Sequence, residues 1–352
     1  MNRTENNPWL SRFALFTALN TLLLISVGGL VTSKGAGMAV PDWPTTFGEN
    51  MFTFHPSKWT GGIFYEHTHR LLGSWVGLLT LVLAFWTHFF ESRAWLRRLA
   101  WLALFMVCLQ GLLGGLRVTL LKNEIGIFHA ALAQSFLVLL CVIGIAVSPW
   151  WHRLRPSWKA EGMARLFVIG AVAVLLQLFL GAAMRHQHSG LAVPDFPLAY
   201  GKLWPDTDPQ SLMVINLKHA DHTITALHIH LHMLHRVGAA LVVGISIWVV
   251  RRVLIRCGPR AVLGRGAILW QVLIAAQALL GAITVWTGKH PWVATAHVVL
   301  GAACLALVSC LAVVSSRKIR LARHSDQNSK SNSSRNASSR VTSATSVPGP
   351  QH

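Results

Sequence analysis

The chain has 352 residues, of which 53% are hydrophobic and only 12% are charged, a composition too apolar for a soluble protein of this length. Its formal net charge of +19 would suit a nucleic-acid-binding protein, but the basic residues are spread over the loops between apolar runs instead of forming one patch. We therefore expect an integral membrane protein that contacts the lipid bilayer and has no nucleic-acid partner.

Eight apolar runs, each near the roughly 20 residues that cross a bilayer core, predict an all-α membrane protein with eight transmembrane helices. The runs cover residues 13–33, 63–90, 99–118, 124–147, 163–184, 227–250, 265–287 and 291–315. Residues 1–12 precede them, and 148–162 form a linker in the middle of the chain. The last segment, 316–352, is rich in Ser, Asn, Arg and Lys, and we expect it to be disordered because it has too little apolar surface to fold.

Basic residues alternate from loop to loop. Arg93, Arg97 and Arg98 lie between the second and third runs, whereas the next loop toward the N-terminus carries only Lys34 and Lys58. This positive-inside pattern predicts that both termini and the linker are cytoplasmic. The N-terminal segment is short and lacks the composition of an organelle transit peptide, so we expect a multi-pass protein of the bacterial inner (plasma) membrane.

The two halves of the chain repeat each other. The segment Gly37–Pro44, GMAVPDWP, returns 153 positions later as Gly190–Pro197, GLAVPDFP. Four predicted helices per copy return the chain to its starting side, so the copies are parallel repeats related by an axis along the membrane normal. We therefore predict two tandem four-helix bundles, 13–147 and 163–315, related by a pseudo-twofold axis.

Four histidines occupy matching depths in this scheme. Each lies roughly six residues, or about 9 Å, inside the predicted outer end of its helix: His69, His129, His235 and His297. Two imidazoles facing each other across a bundle could supply both axial ligands of a haem iron. A non-haem metal would need more than two protein ligands, and a hydrogen bond to a neighbouring helix is the alternative for a lone membrane histidine.

One acidic residue distinguishes the copies. Glu66 stands three residues before His69, on the same helical face, and its counterpart before His235 is His232. A carboxylate beside one haem only would suit the first site to chemistry and the second to holding a redox haem; the alternative is a solvated Glu66 at the membrane interface. Arg70 and Arg236 directly follow the ligands and could bind haem propionates or, equally, lipid phosphate.

These residues together resemble the haem A synthase family, membrane enzymes of cytochrome oxidase assembly. The resemblance covers about 12–315 and is carried by the end of the first apolar run, the two Ala-Val-Pro-Asp loops, the Glu-His-Thr-His-Arg element at 66–70, the segment Gln110–Gly114 and the histidines of the fourth and eighth helices. It implies oxidation of the C8 methyl group of haem O to the formyl group of haem A. It also implies cytochrome c oxidase assembly machinery as a partner, and we expect haem O synthase (protohaem farnesyltransferase) to deliver the substrate.

The resemblance assigns a role to each site residue. His69 and His129 would bracket haem O as substrate and haem A as product in the N-terminal half, with Glu66 as the catalytic carboxylate. His235 and His297 would hold a haem b cofactor in the C-terminal half. A dihaem b-type membrane electron-transfer protein is the alternative function; against it, four ligands near one side leave no chain of cofactors across the ~30 Å core.

The predicted outer loops, 34–62 and 185–226, contain no cysteine. The chain therefore resembles the cysteine-free members of the family, those without an outer-loop cysteine pair, and a thiol relay is not expected. The second loop is rich in histidine, and for most of these residues we expect a solvated or lid role instead of metal binding.

Overall fold

The computed structural model describes residues 7–217 and 223–344, without the side chains of 329–344. Over these residues the regular structure is helical, apart from two isolated β-bridges. Eight of the helices are long and apolar enough to cross a membrane. The predicted fold class, an all-α membrane protein with eight spanning helices, is confirmed.

The helices have the following bounds: α1 Pro8–Ser33, α2 Gly61–Phe90, α3 Ala94–Thr119, α4 Asn123–Ala146, α5 Pro149–His152, α6 Met163–His186, α7 Pro209–Asn216, α8 Ala226–Cys257, α9 Val262–Trp286 and α10 Pro291–Ala344. Only α5 and α7 are too short to span. Apart from α10, the spanning helices extend past the predicted apolar runs by up to seven residues, chiefly at ends that carry arginines, such as the start of α3 and the end of α8. Hydropathy misses these turns because their charged side chains reach out of the hydrocarbon region.

Each half has the neighbour relations of a four-helix bundle. In the N-terminal half the contacts run from α1 to α2, α3, α4 and back to α1, and in the C-terminal half from α6 to α8, α9, α10 and back to α6. The halves meet where α1 packs on α10 and α4 packs on α6 and α10. That the two halves are copies related by a pseudo-twofold axis stays a prediction.

Large apolar side chains also cover the outside of the molecule. Leu15, Phe105, Leu176 and Val272 are each more than half exposed on four different spanning helices. In water such an apolar surface would promote aggregation, whereas in a bilayer it packs against lipid tails. The exposed faces therefore agree with a bilayer around the helices.

The main apolar core lies away from the two long loops, 34–60 and 187–225. In the helices that carry the four histidines, every core residue follows the histidine along the chain, for example Val76 and Leu83 after His69 in α2. We call the end of the bundles under the long loops the loop end. This main core therefore stops below the histidines. At the loop end of the C-terminal half a second, smaller apolar cluster joins the loop to the start of α8 through Val193, Ile229 and Met233.

The end of the chain differs from the prediction of a disordered segment from 316 onward. Helix α10 continues past this point, and its backbone and side chains contact the linker: Ser157 N–H donates to the Lys318 carbonyl at 3.2 Å, and Arg323 pairs with Glu161 at 3.2 Å. In this extension Leu321 also packs on the apolar core and Ala322 is buried. Composition misses the extension because these few contacts lie in a segment that is polar on average. Residues 1–6 and 345–352, parts of the two predicted terminal segments, lie outside the described residues.

Candidate functional site

The two long loops fold around an aspartate in the same way. Asp42 accepts hydrogen bonds from the backbone N–H groups of residues 47 and 48 at 2.8 Å, and Asp195 does so from residues 200 and 201 at 2.7 and 3.0 Å. Although partial burial opposes it, these hydrogen bonds hold the pKa of both carboxyl groups below its ordinary value. Each loop is thus closed by a buttressed, ionised carboxylate.

An arginine from the helix below ties each loop down. Arg70 donates to the carbonyl oxygens of residues 40, 42 and 45 at 2.7–3.0 Å, and Arg236 donates to those of 193, 195 and 198 at 2.6–3.0 Å. Both sets of carbonyls lie in the repeated Ala-Val-Pro-Asp segment or just after it. The guanidinium groups therefore have backbone partners in the structure; their predicted contact with haem propionates stays a prediction.

Glu66 is buried beneath the first loop, with 4% of its surface exposed. One carboxylate oxygen pairs with Arg70 at 2.9 Å and the other accepts the Val40 N–H at 2.9 Å. Of the two alternatives left open by the sequence, the solvated carboxylate is therefore wrong. Its counterpart His232 is equally buried and accepts the Val193 N–H at 3.3 Å, so the two side chains support their loops alike and differ in charge.

Each of the four candidate ligands lies against a glycine of a neighbouring helix. The pairs are His69 with Gly28, His129 with Gly114, His235 with Gly181, and His297 with Gly281. A methyl group added to these glycines would lie 2.8, 3.5, 2.9 and 3.2 Å from the ring, in that order. The missing side chain lets each imidazole approach the helix backbone, which orients the ring within its bundle.

The histidines of each half come together. The rings of His235 and His297 have centroids 6.5 Å apart with an angle of 76° between their planes. Imidazole nitrogen binds a transition metal at about 2 Å, so two rings on opposite sides of one metal have centres roughly 6 Å apart. His69 and His129 also lie close enough to interact electrostatically. The structure thus brings the two histidines of each half together; that they bind a metal stays a prediction.

The surroundings of the rings fit a haem. All four rings lie deep among the helices yet are only half-buried by surface area, so space remains beside them. The Nδ1 atoms of His69, His129 and His297 are enclosed, and each ring lies near a backbone carbonyl of the neighbouring helix, that of Leu24, Gln110 and Gln277 in the same order. Two ligands and a flat space between helices are what a bis-histidine haem requires, and no cluster of three potential metal-binding side chains occurs in 7–217 or 223–328.

Two glutamines form hydrogen bonds to the helices that carry the histidines. These contacts were not predicted from the sequence. The Gln110 side chain donates to the His129 carbonyl at 3.0 Å. The Gln177 amide lies 2.8 Å from the His235 carbonyl and 3.0 Å from its Nδ1. A polar amide within an apolar helix was the available signal, although only Gln110 belongs to a segment that repeats.

Two arginines and one histidine near the contact between the halves were also missed. Arg117 on α3 and Arg185 on α6 lie within apolar helices, where a charge is itself a signal of function. His186, expected in a solvated or lid role, instead has 8% of its surface exposed and packs on Gly126 of α4. The reason is that α6 extends two residues beyond the predicted span and delivers this side chain to the other half.

The chain matches the family model COX15-CtaA, described as cytochrome oxidase assembly protein, over residues 11–309. Similar proteins include the heme A synthases of Shouchella clausii (28% identical over 297 residues, 79% of this chain and 87% of the relative), Novosphingobium aromaticivorans (26% over 332 residues, 83% and 91%) and Geobacillus kaustophilus (26% over 302 residues, 81% and 84%). The family match includes both histidine pairs and both aspartate loops. This chain therefore belongs to the COX15-CtaA family of cytochrome oxidase assembly proteins.

Proposed function

We propose that this protein is a haem A synthase, an oxidoreductase that converts the C8 methyl group of haem O into the formyl group of haem A for cytochrome c oxidase. Several relatives that align over most of their length carry this name. The observation that carries the proposal is the buried Glu66, which lies one turn before His69 in the N-terminal half. The corresponding position of the C-terminal half holds His232. The two histidine pairs thus lie in electrostatically different surroundings.

The N-terminal pair is the substrate site in this proposal. His69 and His129 bind the iron of haem O and release haem A, and His235 and His297 bind the iron of a haem b cofactor. When bound, haem b supplies one-electron transfer. The glycine contacts support these assignments because they orient each imidazole before any porphyrin arrives.

Glu66 is the catalytic carboxylate in this scheme. Conversion of the methyl to a formyl group takes one oxygen atom from water and releases four protons and four electrons, the electrons passing to an acceptor outside the chain. Loss of electrons builds positive charge on the methyl carbon, and an adjacent anion stabilises that charge. A carboxylate has about four acceptor positions, and Glu66 uses two of them, for Arg70 and for the Val40 N–H. The remaining positions can accept a proton from a water that attacks the oxidised carbon.

The setting we propose is the bacterial inner membrane, with both termini cytoplasmic and the loop end periplasmic. The arginine-rich connections lie at the opposite end of the bundles, as the positive-inside rule requires. Partners are the cytochrome c oxidase assembly machinery and haem O synthase, whose product is too apolar to cross water unaided. The five cysteines are free, and both outer loops lack cysteine, so we assign the chain to the cysteine-free type, which works without a thiol relay.

Pigment analysis tests the proposal. The protein is expressed in cells that make haem O, and the haems are extracted from purified wild-type protein and from the Glu66→Gln variant. We expect wild-type protein to contain haem b together with haem O or haem A, and its cells to accumulate haem A. The variant should bind both haems but stop the conversion. Haem b alone in both sites of the wild-type protein would instead favour a dihaem electron carrier.

A further inference from the structure

Two arginines stand at the loop end of the bundles, each about one helical turn from a glycine that supports a ligand. Arg117 follows Gly114 by three residues on α3, and Arg185 follows Gly181 by four residues on α6. Both helices run toward the loop end, so both arginines lie on the loop side of the histidines. Neither forms a salt bridge within 7–217 or 223–328.

Arg117 belongs to the surroundings of the first histidine pair. Its Nε is enclosed and has no hydrogen-bond partner in the described part of the chain. A methyl group on Gly37 would lie 2.9 Å from both Nη atoms, so the guanidinium is pressed against the loop backbone. It acts electrostatically on His69 and His129. The Glu66 carboxylate lies within electrostatic range of Arg117, but its two oxygens bond to Arg70 and to the Val40 N–H, so Arg117 has no ion pair of its own in the described part of the chain.

Arg185 belongs to the second pair and also crosses between the halves. Its guanidinium donates to the Gly29 carbonyl and to the Ser33 hydroxyl of α1, both neutral groups. It lies within electrostatic range of His297 and of Arg117. Burial, and then the charge of Arg185, lower the pKa of Lys289 in the connection between α9 and α10. Arg185 and Lys289 thus lie close to each other, and neither forms a salt bridge in 7–217 or 223–328.

Such an arrangement calls for anions from outside the chain. Burying a cation without a partner is costly, and the geometry of a guanidinium favours a carboxylate bound at two points. Each haem carries two propionate carboxylates on one edge of its ring. Arg70 and Arg236 are less available for these groups, because both Nη atoms of each already donate to loop carbonyls, and of their two Nε atoms only that of Arg236 is enclosed without a partner among the described residues.

We propose that Arg117 binds a propionate of the porphyrin held by His69 and His129, and that Arg185 binds a propionate of the porphyrin held by His235 and His297. This inference rests on the haem ligation of the proposed function. The two arginines would fix the rotation of each porphyrin about the line between its two histidines. In the first site that rotation decides which ring substituent faces Glu66, so Arg117 is a positioning residue for the reaction.

The test uses the purified, haem-loaded full chain and the variants Arg117→Met and Arg185→Met. Matched controls are Arg98→Met and Arg165→Met, which remove an exposed arginine from the opposite end of the same two helices. Haem b and haem O or A are quantified separately after extraction, and resonance Raman spectra report hydrogen bonding at the propionates. Losing one partner of a buried ion pair should weaken retention of one haem by roughly 30-fold or more.

We expect Arg117→Met to deplete haem O and haem A, Arg185→Met to deplete haem b, and both controls to keep both haems. If a methionine variant does not accumulate, the lysine variants carry the test: they keep the charge but lose the two-point geometry, so the propionate vibrations should shift while haem stays bound. Unchanged propionate vibrations in the lysine variants, or full retention of both haems in the methionine variants, would overturn the assignment. Wild-type protein purified without haem would overturn the proposed function itself.

Discussion

The two loop-and-histidine units of this protein have nearly the same construction and differ in charge. In each, an aspartate closes a loop, an arginine ties the loop to the helix below, and a histidine rests on a glycine. The side chain one turn before that histidine accepts a loop N–H in both halves, but it is Glu66 in one and His232 in the other. One unit of negative charge therefore separates two sites of similar geometry.

The positions of two half-buried arginines differ as well. Arg117 of α3 corresponds to Thr284 of α9, and Arg185 of α6 corresponds to Thr32 of α1. Each half thus carries one of these two arginines, on a different helix, while the two threonines bond to carbonyls of their own helices. The ligand frame is shared between the halves, whereas the electrostatic surroundings are particular to each site. The difference in chemistry that we propose for the two sites therefore depends on charge, not on the position of the histidines.

Replacing Glu66 with histidine, the residue at the corresponding position of the C-terminal half, should abolish the difference in charge between the two sites. In Glu66→His the imidazole can still accept the Val40 N–H, as His232 accepts the Val193 N–H, but the carboxylate is gone. We expect haem to stay bound and conversion of haem O to haem A to fall by about 10²–10⁴-fold. The measurement is the ratio of haem A to haem O in extracts from cells that express the variant.

Two further variants make this result specific. Glu66→Gln keeps the shape and loses the charge, so it should behave like Glu66→His. His232→Gln removes the corresponding side chain from the second half and should leave conversion within a few-fold of wild type. Normal conversion in both Glu66 variants would mean that the carboxylate supports only the loop.

Removing one ligand at a time should separate the two sites. His129→Ala leaves His69 with no partner across the first bundle, and His297→Ala does the same to His235 in the second. Each change should lower total haem from two per chain to about one, because a haem iron with a single protein ligand is held less firmly. Extracts of His129→Ala should keep haem b, and those of His297→Ala should keep haem O. Loss of both haems in either variant would show that the sites are not independent.

Much of the fold followed from the sequence because the bilayer imposes simple rules. Runs of apolar residues near membrane length gave the eight spanning helices, and the repeated Gly37–Pro44 segment pointed to two similar loops. Pairing of the histidines followed from their depth, since helical rise converts position in the chain into height. The extension of α10 beyond 315 was missed, because the contacts of Lys318 and Arg323 with the linker leave no mark on composition.

The details of the site depended on packing that no linear pattern contains. The sequence paired Arg70 and Arg236 with propionate or lipid phosphate, yet both lie against carbonyls from loops more than 20 positions earlier in the chain. Arg117 and Arg185 were overlooked because they do not occupy matching positions in the repeat. The repeat indicates the residues that both halves share, whereas each of these arginines has a threonine at the corresponding position of the other half.

The glycine contacts offer a graded test of how closely the two halves share their ligand frame. A methyl group at Gly28 or Gly181 would lie 2.8 or 2.9 Å from the ring of His69 or His235, too close to be accommodated without movement. We expect Gly28→Ala and Gly181→Ala to displace their histidines and cost about 1–3 kcal/mol each. Gly114→Ala is the control, since its methyl group would lie 3.5 Å from His129, an ordinary contact. Thermal unfolding and the spectrum of the bound haem would show the difference; equal effects at all three glycines would contradict it.

The smallest expected effect concerns the part of the two loops that is alike. Backbone hydrogen bonds lower the pKa of Asp42 and Asp195 below the ordinary 3.8, against the opposing effect of partial burial. A carboxyl group with a lowered pKa stabilises the folded loop above its unfolded pKa, and this contribution disappears as the pH falls through the folded value. Both loops should therefore loosen below about pH 4, by a few-fold in the hydrogen-exchange protection of residues 47–48 and 200–201. Asp42→Asn should remove this pH dependence from the first loop and leave it in the second. If acid loosened only one loop of the wild-type protein, the difference between the halves would extend beyond Glu66 and the half-buried arginines into the loops themselves.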